Sequence, residues 1–312
     1  MKKKLAILMA TYNGEKYIRE QLESILSQTY QDFDLYIRDD NSKDNTVEII
    51  NEYTKRYPNK IFIEVDKKIA RGAYKNFMFL LEYVKNIQKY DLFMFSDQDD
   101  VWIKDKVETV VNKYNEQLNN DIPILIHTDL YVVDKNLNII SNSFVKYSKL
   151  RTEYTDFNKY LVQNNVTGCT MLINKKLVDL INFKIEYIIM HDWYFALIAS
   201  AFGKVIYIDK PTINYRQHGD NTVGAKSGNG IRYLYSKISQ SDNVKESIKN
   251  LYKQAKSFKE IYYDKLDNKN KKIIMDFLCM EKNNKFYKIK TIVKHRIYKQ
   301  GIRRIIGEFI YF

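Results

Sequence analysis

Three aspartates follow an apolar stretch of the chain, at Asp97, Asp99 and Asp100. The apolar run Leu92–Phe95 has the length of a buried strand, and carboxylates cannot share the dry interior of a strand. They are therefore expected at the end of the strand, in water or on a cation. Oxygen ligands at this spacing suit Mg²⁺ or Mn²⁺ carrying a diphosphate. The alternative is an acidic turn that caps a helix at 103–118.

Strand and helix patterns alternate along the first 120 residues. This alternation predicts a mostly parallel, open α/β sheet, in which ligands bind at the carboxyl ends of the strands. The predicted strands are Leu5–Ala10, Phe33–Arg38, Ile61–Val65 and Leu92–Phe95, and the predicted helices are Glu15–Gln28, Asp44–Tyr57 and Tyr74–Asn86. Further strands are predicted at Ile122–His127, Leu130–Val133, Thr167–Ile173 and Val205–Tyr215, with a helix at Asp192–Phe202.

The net charge of +13 is concentrated at one end of the chain. Residues 231–312 contain 20 Lys and Arg against 8 Asp and Glu, so the first 230 residues hold 31 basic and 30 acidic side chains. This asymmetry places a domain boundary at 225/226, before a helical, basic C-terminal region. Because the first 230 residues are almost neutral, nucleic acid is not an expected partner.

The C-terminal region contains two amphipathic patterns. One lies in Phe286–Tyr298, and the other joins Ile302, Ile305, Ile306, Phe309 and Ile310 on one helical face. Two interpretations stay open: basic helices on an anionic membrane surface, or helices packed on the body with a solvated basic face. Two cysteines are too few for a disulfide framework, and no apolar stretch is long enough to span a bilayer. We therefore expect an intracellular protein without a membrane span.

The loops at the predicted strand ends resemble those of glycosyltransferase family 2. The resembling segments are Ala10–Gly14, Asp39–Thr46, Asp97–Trp102, Gly168–Met171, Met190–Trp193 and Arg216–Gly219, and the last four resemble the rhamnosyltransferase-like subgroup. The resemblance covers about residues 4–224. It implies a GT-A fold, which is Rossmann-like, and a nucleotide-sugar donor.

The resemblance assigns a nucleoside-binding role to the first two loops. Ala10, Thr11 and Tyr12 match the loop that holds the nucleoside, and Asp40 matches the carboxylate that accepts the base N3–H of uracil or thymine. The alternative for Asp40 is a helix cap. Lys75 matches a further nucleotide contact, together with Asn76 and Arg71. At Arg71 the subgroup often has Asn, so its role stays open.

The resemblance also assigns the metal site and the catalytic base. Asp99 matches the metal ligand, Asp97 the contact to the ribose or to the metal through water, and His218 a third ligand. Arg216 is expected on the diphosphate, and Asp100 is expected to cap a helix or orient Trp102. Asp192 matches the general base of inverting enzymes, with a helix N-cap as the alternative. The expected lining of the sugar and acceptor cleft is Trp102, Gly168 and Trp193.

These assignments imply an inverting hexosyltransferase that depends on Mn²⁺ or Mg²⁺. The subgroup favours transfer of L-rhamnose from dTDP-L-rhamnose to a saccharide acceptor in lipid-linked form, during the synthesis of a cell-surface polysaccharide. The expected location is cytoplasmic, on the inner face of the cell membrane. A transferase of the same fold that uses a UDP-hexose or UDP-N-acetylhexosamine is the alternative. More remote are a nucleic-acid-binding protein and a sugar-nucleotide pyrophosphorylase, whose glycine-rich phosphate loop the segment 11–14 lacks.

Overall fold

A mixed sheet of nine strands forms the centre of the computed structural model, which describes residues 3–64, 72–118, 121–218 and 241–312. The strand order is β3-β2-β1-β4-β8-β6-β9-β5, with β7 paired to β6. The strands are β1 Leu5–Thr11, β2 Phe33–Asp39, β3 Ile61–Glu64, β4 Leu92–Ser96, β5 Val101–Trp102, β6 Ile124–Val133, β7 Ile139–Ser141, β8 Leu172–Asn174 and β9 Lys204–Arg216.

Helices cover the sheet on both sides. In the first two described ranges they are α1 Ile18–Leu26, α2 Thr46–Arg56, α3 Ala73–Asn86 and α4 Lys106–Asn115. In the third they are α5 Phe144–Tyr147, α6 Phe157–Tyr160, α7 Lys175–Leu180 and α8 His191–Phe202. The C-terminal region contributes α9 Ser241–Tyr262, α10 Asn268–Cys279, α11 Lys285–His295 and α12 Ile302–Tyr311.

The first half of the sheet is parallel, as the alternating pattern predicts. β1 pairs in parallel with both β2 and β4, and β2 pairs in parallel with β3. Alternate residues of β1 enter two separate cores: Ala6 and Leu8 pack on one face, and Leu5, Ile7 and Met9 on the other. Both faces are buried, which explains why the strand reads as a continuous apolar run. At β4 the pattern changes, because its other neighbour, β8, is antiparallel.

Three predicted elements differ from the structure. The predicted strand 167–173 begins as a 3₁₀ turn at Gly168–Thr170, and only its end joins β8. The two strands predicted at 122–133 are one strand, β6, with register shifts around Asp129. The helix predicted from 103 begins at Lys106, because Val101 and Trp102 first pair with β9 as strand β5.

The C-terminal helices pack on the sheet domain through a shared apolar core. Phe258 and Tyr262 of α9, Phe277 of α10 and Ile292 of α11 belong to the same buried cluster as α8. A buried hydrogen bond of 2.6 Å joins the hydroxyls of Tyr194 and Tyr262. The predicted boundary at 225/226 lies outside the described residues. No helix in the described ranges combines the length and apolarity needed to cross a membrane.

Candidate active site

The acidic loop begins where β4 ends, and a buried polar row on α1 holds it. The amide of Gln21 donates to the Ser96 hydroxyl at 2.7 Å and to the Asp97 carbonyl at 3.1 Å. One turn later the Ser24 hydroxyl accepts the backbone N–H of Trp102 at 3.0 Å. Gln28 then donates to the Ile103 carbonyl at 2.9 Å. Gln21 and Ser24 share one face of α1, and Gln28 follows just after the helix ends at Leu26. This one segment therefore fixes the path of the loop from its start to β5.

Gln98 joins the acidic loop to the loop after β1. Its side-chain amide donates to the Tyr12 carbonyl at 2.9 Å and accepts the Tyr12 N–H at 2.8 Å, as a neighbouring strand would. A Cβ atom at Gly14 would lie 2.3 Å from Oε1 of Gln98, so a larger residue at this position would displace the Gln98 amide. This contact was not predicted from the sequence, because its partners lie 86 positions apart and Gly14 is the local signal.

The loop after β2 is organised by Asp39 and Asp44. Asp39 accepts the Ser42 N–H at 2.7 Å and the Thr11 hydroxyl at 2.8 Å. Asp44 accepts the Thr46 N–H at 3.1 Å where α2 begins. Asp40 is buried beside Arg38, with 3.9 Å between its Oδ1 and Nη1 of the arginine. This placement at the sheet edge fits the predicted base contact, which stays a prediction.

Buried Arg38 and Asn76 link the ends of β1 and β2 to α3. Arg38 pairs with Glu64 at 2.9 Å and donates to Asn76 Oδ1 at 2.8 Å. The amide of Asn76 reaches the carbonyls of Thr11 and Arg38 at 3.3 and 3.2 Å. Asn76 therefore positions the loops of the predicted nucleoside site. Lys75 is exposed at the start of α3. Ala10 is half-buried within β1. Arg71 lies outside the described residues.

Asp99 and His218 meet at the mouth of the site although 119 positions separate them. His218 Nε2 lies 2.8 Å from Asp99 Oδ2, and both side chains are partly exposed. Burial, with the charges of Asp99 and Asp192, raises the pKa of Asp97 to about 7. Mutual repulsion of this kind is relieved by a cation, and carboxylate and imidazole groups are ligands that Mn²⁺ accepts. The residues present therefore fit a divalent metal.

Asp100 lies inside the protein, next to Asp97. It is fully buried, and its Oδ1 accepts the Arg216 N–H at 3.2 Å. Burial and the charges of Asp99 and Asp97 raise its pKa well above the usual range. The predicted cap role is wrong, since Asp105 occupies the N-cap position of α4. One carboxylate oxygen of Asp100, one of Asp97 and the sulfur of Cys169 lie within 4.8 Å of one another.

A buried cation lies behind this deeper acidic group. Lys106 is fully buried, and its Nζ lies 4.7 Å from the centre of the Trp102 ring. Burial lowers the pKa of Lys106 to about 8, and the nearby groups Cys169 and Asp100 partly oppose this shift. The prediction that Trp102 lines the cleft is wrong, because the ring is 3% exposed within the core.

Arg216 is committed to protein groups instead of the predicted diphosphate. Its Nε donates to the Asp99 carbonyl at 2.9 Å, and its Nη1 to the Lys135 carbonyl at 2.7 Å. Nη2 pairs with Glu20, and the guanidinium lies 4.5 Å from the centre of the Tyr17 ring. With these partners the buried guanidinium fixes the backbone of the acidic loop, a positioning role that differs from the sequence prediction.

Asp192 lies in the first turn of α8 and faces the same region. Its Oδ1 accepts the Trp193 N–H at 2.6 Å, and the backbone of Gly168 and the side chain of Asn164 also hydrogen-bond to it. Burial outweighs these contacts and raises its pKa to about 6. A carboxylate with this pKa is ionised at neutral pH and accepts a proton readily, as a general base must.

The neighbours of Asp192 are tightly packed. A Cβ at Gly168 would lie 2.9 Å from His191 Nε2, so glycine is required for this approach. The His191 ring lies 4.6 Å from Phe77, and burial lowers its pKa to about 3, so it is neutral. Trp193 is half-buried and donates its indole N–H to the Tyr160 carbonyl at 2.6 Å. Gly168 and Trp193 thus flank Asp192, and their contact with substrate stays a prediction.

Sequence comparison identifies the protein family. The model of "Glycosyl transferase family 2" matches residues 6–181, more than half of the chain. The chain belongs to this family. It is 35% identical over 242 residues to the dTDP-rhamnosyl transferase RfbG of Shigella flexneri, covering 72% of this chain and 76% of the relative. The family and this relative establish a glycosyltransferase of the rhamnosyltransferase-like subgroup.

A further relative acts on a lipid-linked sugar. The chain is 27% identical over 191 residues to WfgD of Escherichia coli, described as a UDP-Glc:alpha-D-GlcNAc-diphosphoundecaprenol beta-1,3-glucosyltransferase. The match covers 61% of this chain and 67% of that protein. The names of these two relatives therefore differ in both the base and the sugar of the donor.

Solved structures confirm the GT-A fold. S. aureus TarS 1–349 superposes with a TM-score of 0.56 at 16% identity, over 98% of this chain and 80% of that one. The mannosyltransferase PcManGT of Pyrobaculum calidifontis, solved with GDP-Man and Mn²⁺, gives 0.53 at 14% identity, over 95% and 74%. At these identities the likeness establishes the fold alone.

Proposed function

We propose that this glycosyltransferase transfers L-rhamnose from dTDP-L-rhamnose to a saccharide acceptor with inversion at the sugar carbon. The observation that carries the proposal is that site residues from distant segments lie close together. Asp99 contacts His218 at 2.8 Å, and the negative charge of Asp192 is near enough to raise the pKa of Asp97. The dTDP-rhamnosyl relative at 35% identity supports the donor.

In this proposal the parallel half of the sheet binds the nucleotide. Ala10, Thr11 and Tyr12 surround the nucleoside, and Asp40 accepts the N3–H of thymine. Lys75 is exposed at the start of α3, and its ammonium group would attract the phosphate oxygens of the nucleotide. The Gln98 bridge holds the nucleoside loop and the acidic loop at a constant separation.

Asp99, His218 and Asp97 would hold the divalent metal, with Asp97 also near the ribose. A bound Mn²⁺ or Mg²⁺ supplies positive charge that stabilises the nucleoside diphosphate as it leaves. Arg216 supports this group from behind, since it fixes the carbonyl of Asp99. The Mn²⁺ complex of a protein with the same fold supports divalent metal use.

Asp192 is the proposed base that removes the proton from the acceptor hydroxyl. One in-line displacement then forms the new glycosidic bond and breaks the bond to the diphosphate, with the proton retained on Asp192. Its backbone and side-chain hydrogen bonds keep the carboxylate in one orientation. Gly168 allows the close packing behind it, and Trp193 supplies an aromatic surface next to it.

The proposed acceptor is a lipid-linked saccharide in the synthesis of a cell-surface polysaccharide. The relative that acts on a diphosphoundecaprenol-linked sugar supports this class. The corresponding location is cytoplasmic, on the inner face of the cell membrane. The same relative uses UDP-Glc, which favours a UDP-hexose or UDP-N-acetylhexosamine donor as the second candidate.

Donor binding and hydrolysis test the proposal. Thermal unfolding is measured with dTDP and UDP, each with and without Mn²⁺, and a set of nucleotide sugars is screened for hydrolysis. We expect Mn²⁺-dependent stabilisation by dTDP and the fastest hydrolysis of dTDP-L-rhamnose. Stabilisation by UDP with hydrolysis of a UDP-sugar selects the second candidate, whereas no effect of any nucleotide with metal contradicts both.

A further inference from the structure

The outer face of α11 presents apolar side chains to solvent. Phe286 is 78% exposed, Val293 53% and Ile289 37%, and the three share one face of the helix at i, i+3 and i+7. On the same helix, Thr291 lies opposite this strip and Ile292 lies beside it, and both are buried. The helix therefore has one apolar face that packs on the protein and a second one that does not.

Lysines border the exposed apolar face on both sides. At about 100° per residue, Lys285 falls on one side of the three apolar positions, and Lys290 and Lys294 fall on the other. All three lysines are exposed. Residues 285–299 contain six Lys and Arg and no acidic residue. An apolar strip with lysines on both sides is suited to anionic lipid, because apolar side chains enter the acyl boundary and ammonium groups meet phosphates.

The protein body fixes the orientation of this helix. Asp276 of α10 accepts Lys294 Nζ at 2.8 Å and contacts His295 Nε2 at 2.7 Å. The side-chain amide of Asn158, from α6, donates to the His295 carbonyl at 2.8 Å. Ile292 is 1% exposed in the core shared with α8. The exposed face is thus a fixed surface of the folded protein.

We infer that Phe286, Ile289 and Val293, bordered by Lys285, Lys290 and Lys294, form the surface that binds an anionic membrane. This inference deepens the membrane location given under the proposed function and does not depend on the identity of the donor. Packing and membrane binding, the two interpretations left open for this region, then use different faces of one helix. A second copy of the chain is a poor occupant, because symmetric contact would bring lysine rows together.

The α12 helix contributes differently from the sequence expectation. Phe309 and Tyr311 pack against the body, so its apolar face is not wholly available to lipid. Ile306 is 55% exposed. The structure does not describe the side chains of Ile302 and Ile310. The inference therefore rests on α11 alone.

Vesicle sedimentation with the full chain tests the inference. The vesicles are phosphatidylcholine with and without phosphatidylglycerol, and the apolar variant is F286Q/I289Q/V293Q. We expect binding only to vesicles with phosphatidylglycerol, and a loss of roughly tenfold or more in the variant. The matched control, I139Q/I140Q, removes exposed apolar side chains from β7 and should bind as the parent does.

A charge variant and a solution measurement complete the test. K285Q/K290Q should weaken binding roughly fivefold for each lysine, whereas K55Q/K104Q on the body should not. Donor hydrolysis should stay unchanged in all variants, which separates this inference from the proposed reaction. Absence of parent binding, equal binding by the apolar variant, or a parent dimer that the apolar variant dissociates would overturn the inference.

Discussion

Replacing Asp192 with Asn should raise the stability of the protein while removing transfer activity. Burial raises the pKa of Asp192 to about 6, above the value of about 3.9 for an unfolded chain. The folded state therefore binds this proton more tightly than the unfolded state does. The ionised carboxylate destabilises the fold, and this cost is absent below about pH 4 and complete above about pH 6.

The size of the effect follows from three contributions. A pKa rise of about two units corresponds to about 3 kcal/mol of cost at pH 7.5. Asn retains one acceptor oxygen, so the loss of one hydrogen bond among those from Trp193, Gly168 and Asn164 removes about 1 kcal/mol of the gain. Loss of the negative charge in the first turn of α8 removes about 0.5 kcal/mol more. The expected increase in the free energy of unfolding is about 1.5 kcal/mol.

Urea unfolding at pH 7.5 and pH 4.5, in EDTA and without nucleotide, measures this difference. The gain should be present at pH 7.5 and mostly lost at pH 4.5. The exposed Asp264→Asn serves as the control and should change the free energy little at either pH. Transfer by Asp192→Asn should fall by a factor of about 10² to 10⁴, with dTDP affinity retained. A variant that is less stable at pH 7.5, or equally stabilised at both pH values, would refute the burial argument.

Four further substitutions, at Asp99, Gly14, Gln98 and Arg216, test the site. Asp99→Asn should abolish the Mn²⁺-dependent part of dTDP binding in calorimetry, and an unchanged metal dependence would remove Asp99 as a ligand. Gly14→Ala should raise the donor KM, because its Cβ would meet Gln98 Oε1 at 2.3 Å; the same rise is expected for Gln98→Ala, and the double variant should be no worse than either. Arg216→Lys should lower the free energy of unfolding by about 3 kcal/mol in urea titration, since an ammonium cannot replace the fork of contacts; a loss below about 1 kcal/mol would contradict this.

Local features of the chain allowed much of the fold to be predicted. The run at 92–95 and the acids after it lie as expected, since an apolar strand must end where carboxylates begin. Asp192 stands in the first turn of a helix whose apolar pattern was continuous. The parallel order of β1, β2 and β4 follows from the helices between them.

The roles of Arg216, Trp102 and Gln98 could not be predicted from local sequence patterns. Arg216 meets Glu20, which lies almost two hundred positions earlier, so only the fold could show its partners. Trp102 resembles a surface aromatic in sequence, yet its pairing with β9 draws the ring into the core. Gln98 is one polar residue among acids, and its function depends on the position of Tyr12.

The change of strand direction at β4 separates two groups of proposed site residues. Residues proposed for the donor, such as Asp40 and Asp97, precede β6 in the chain, whereas Asp192 and Gly168 follow it. A chimera made at this seam, between the acidic loop and β6, is therefore expected to exchange acceptor specificity and to keep the donor. The Asp99–His218 contact crosses the seam and must be preserved in any such exchange.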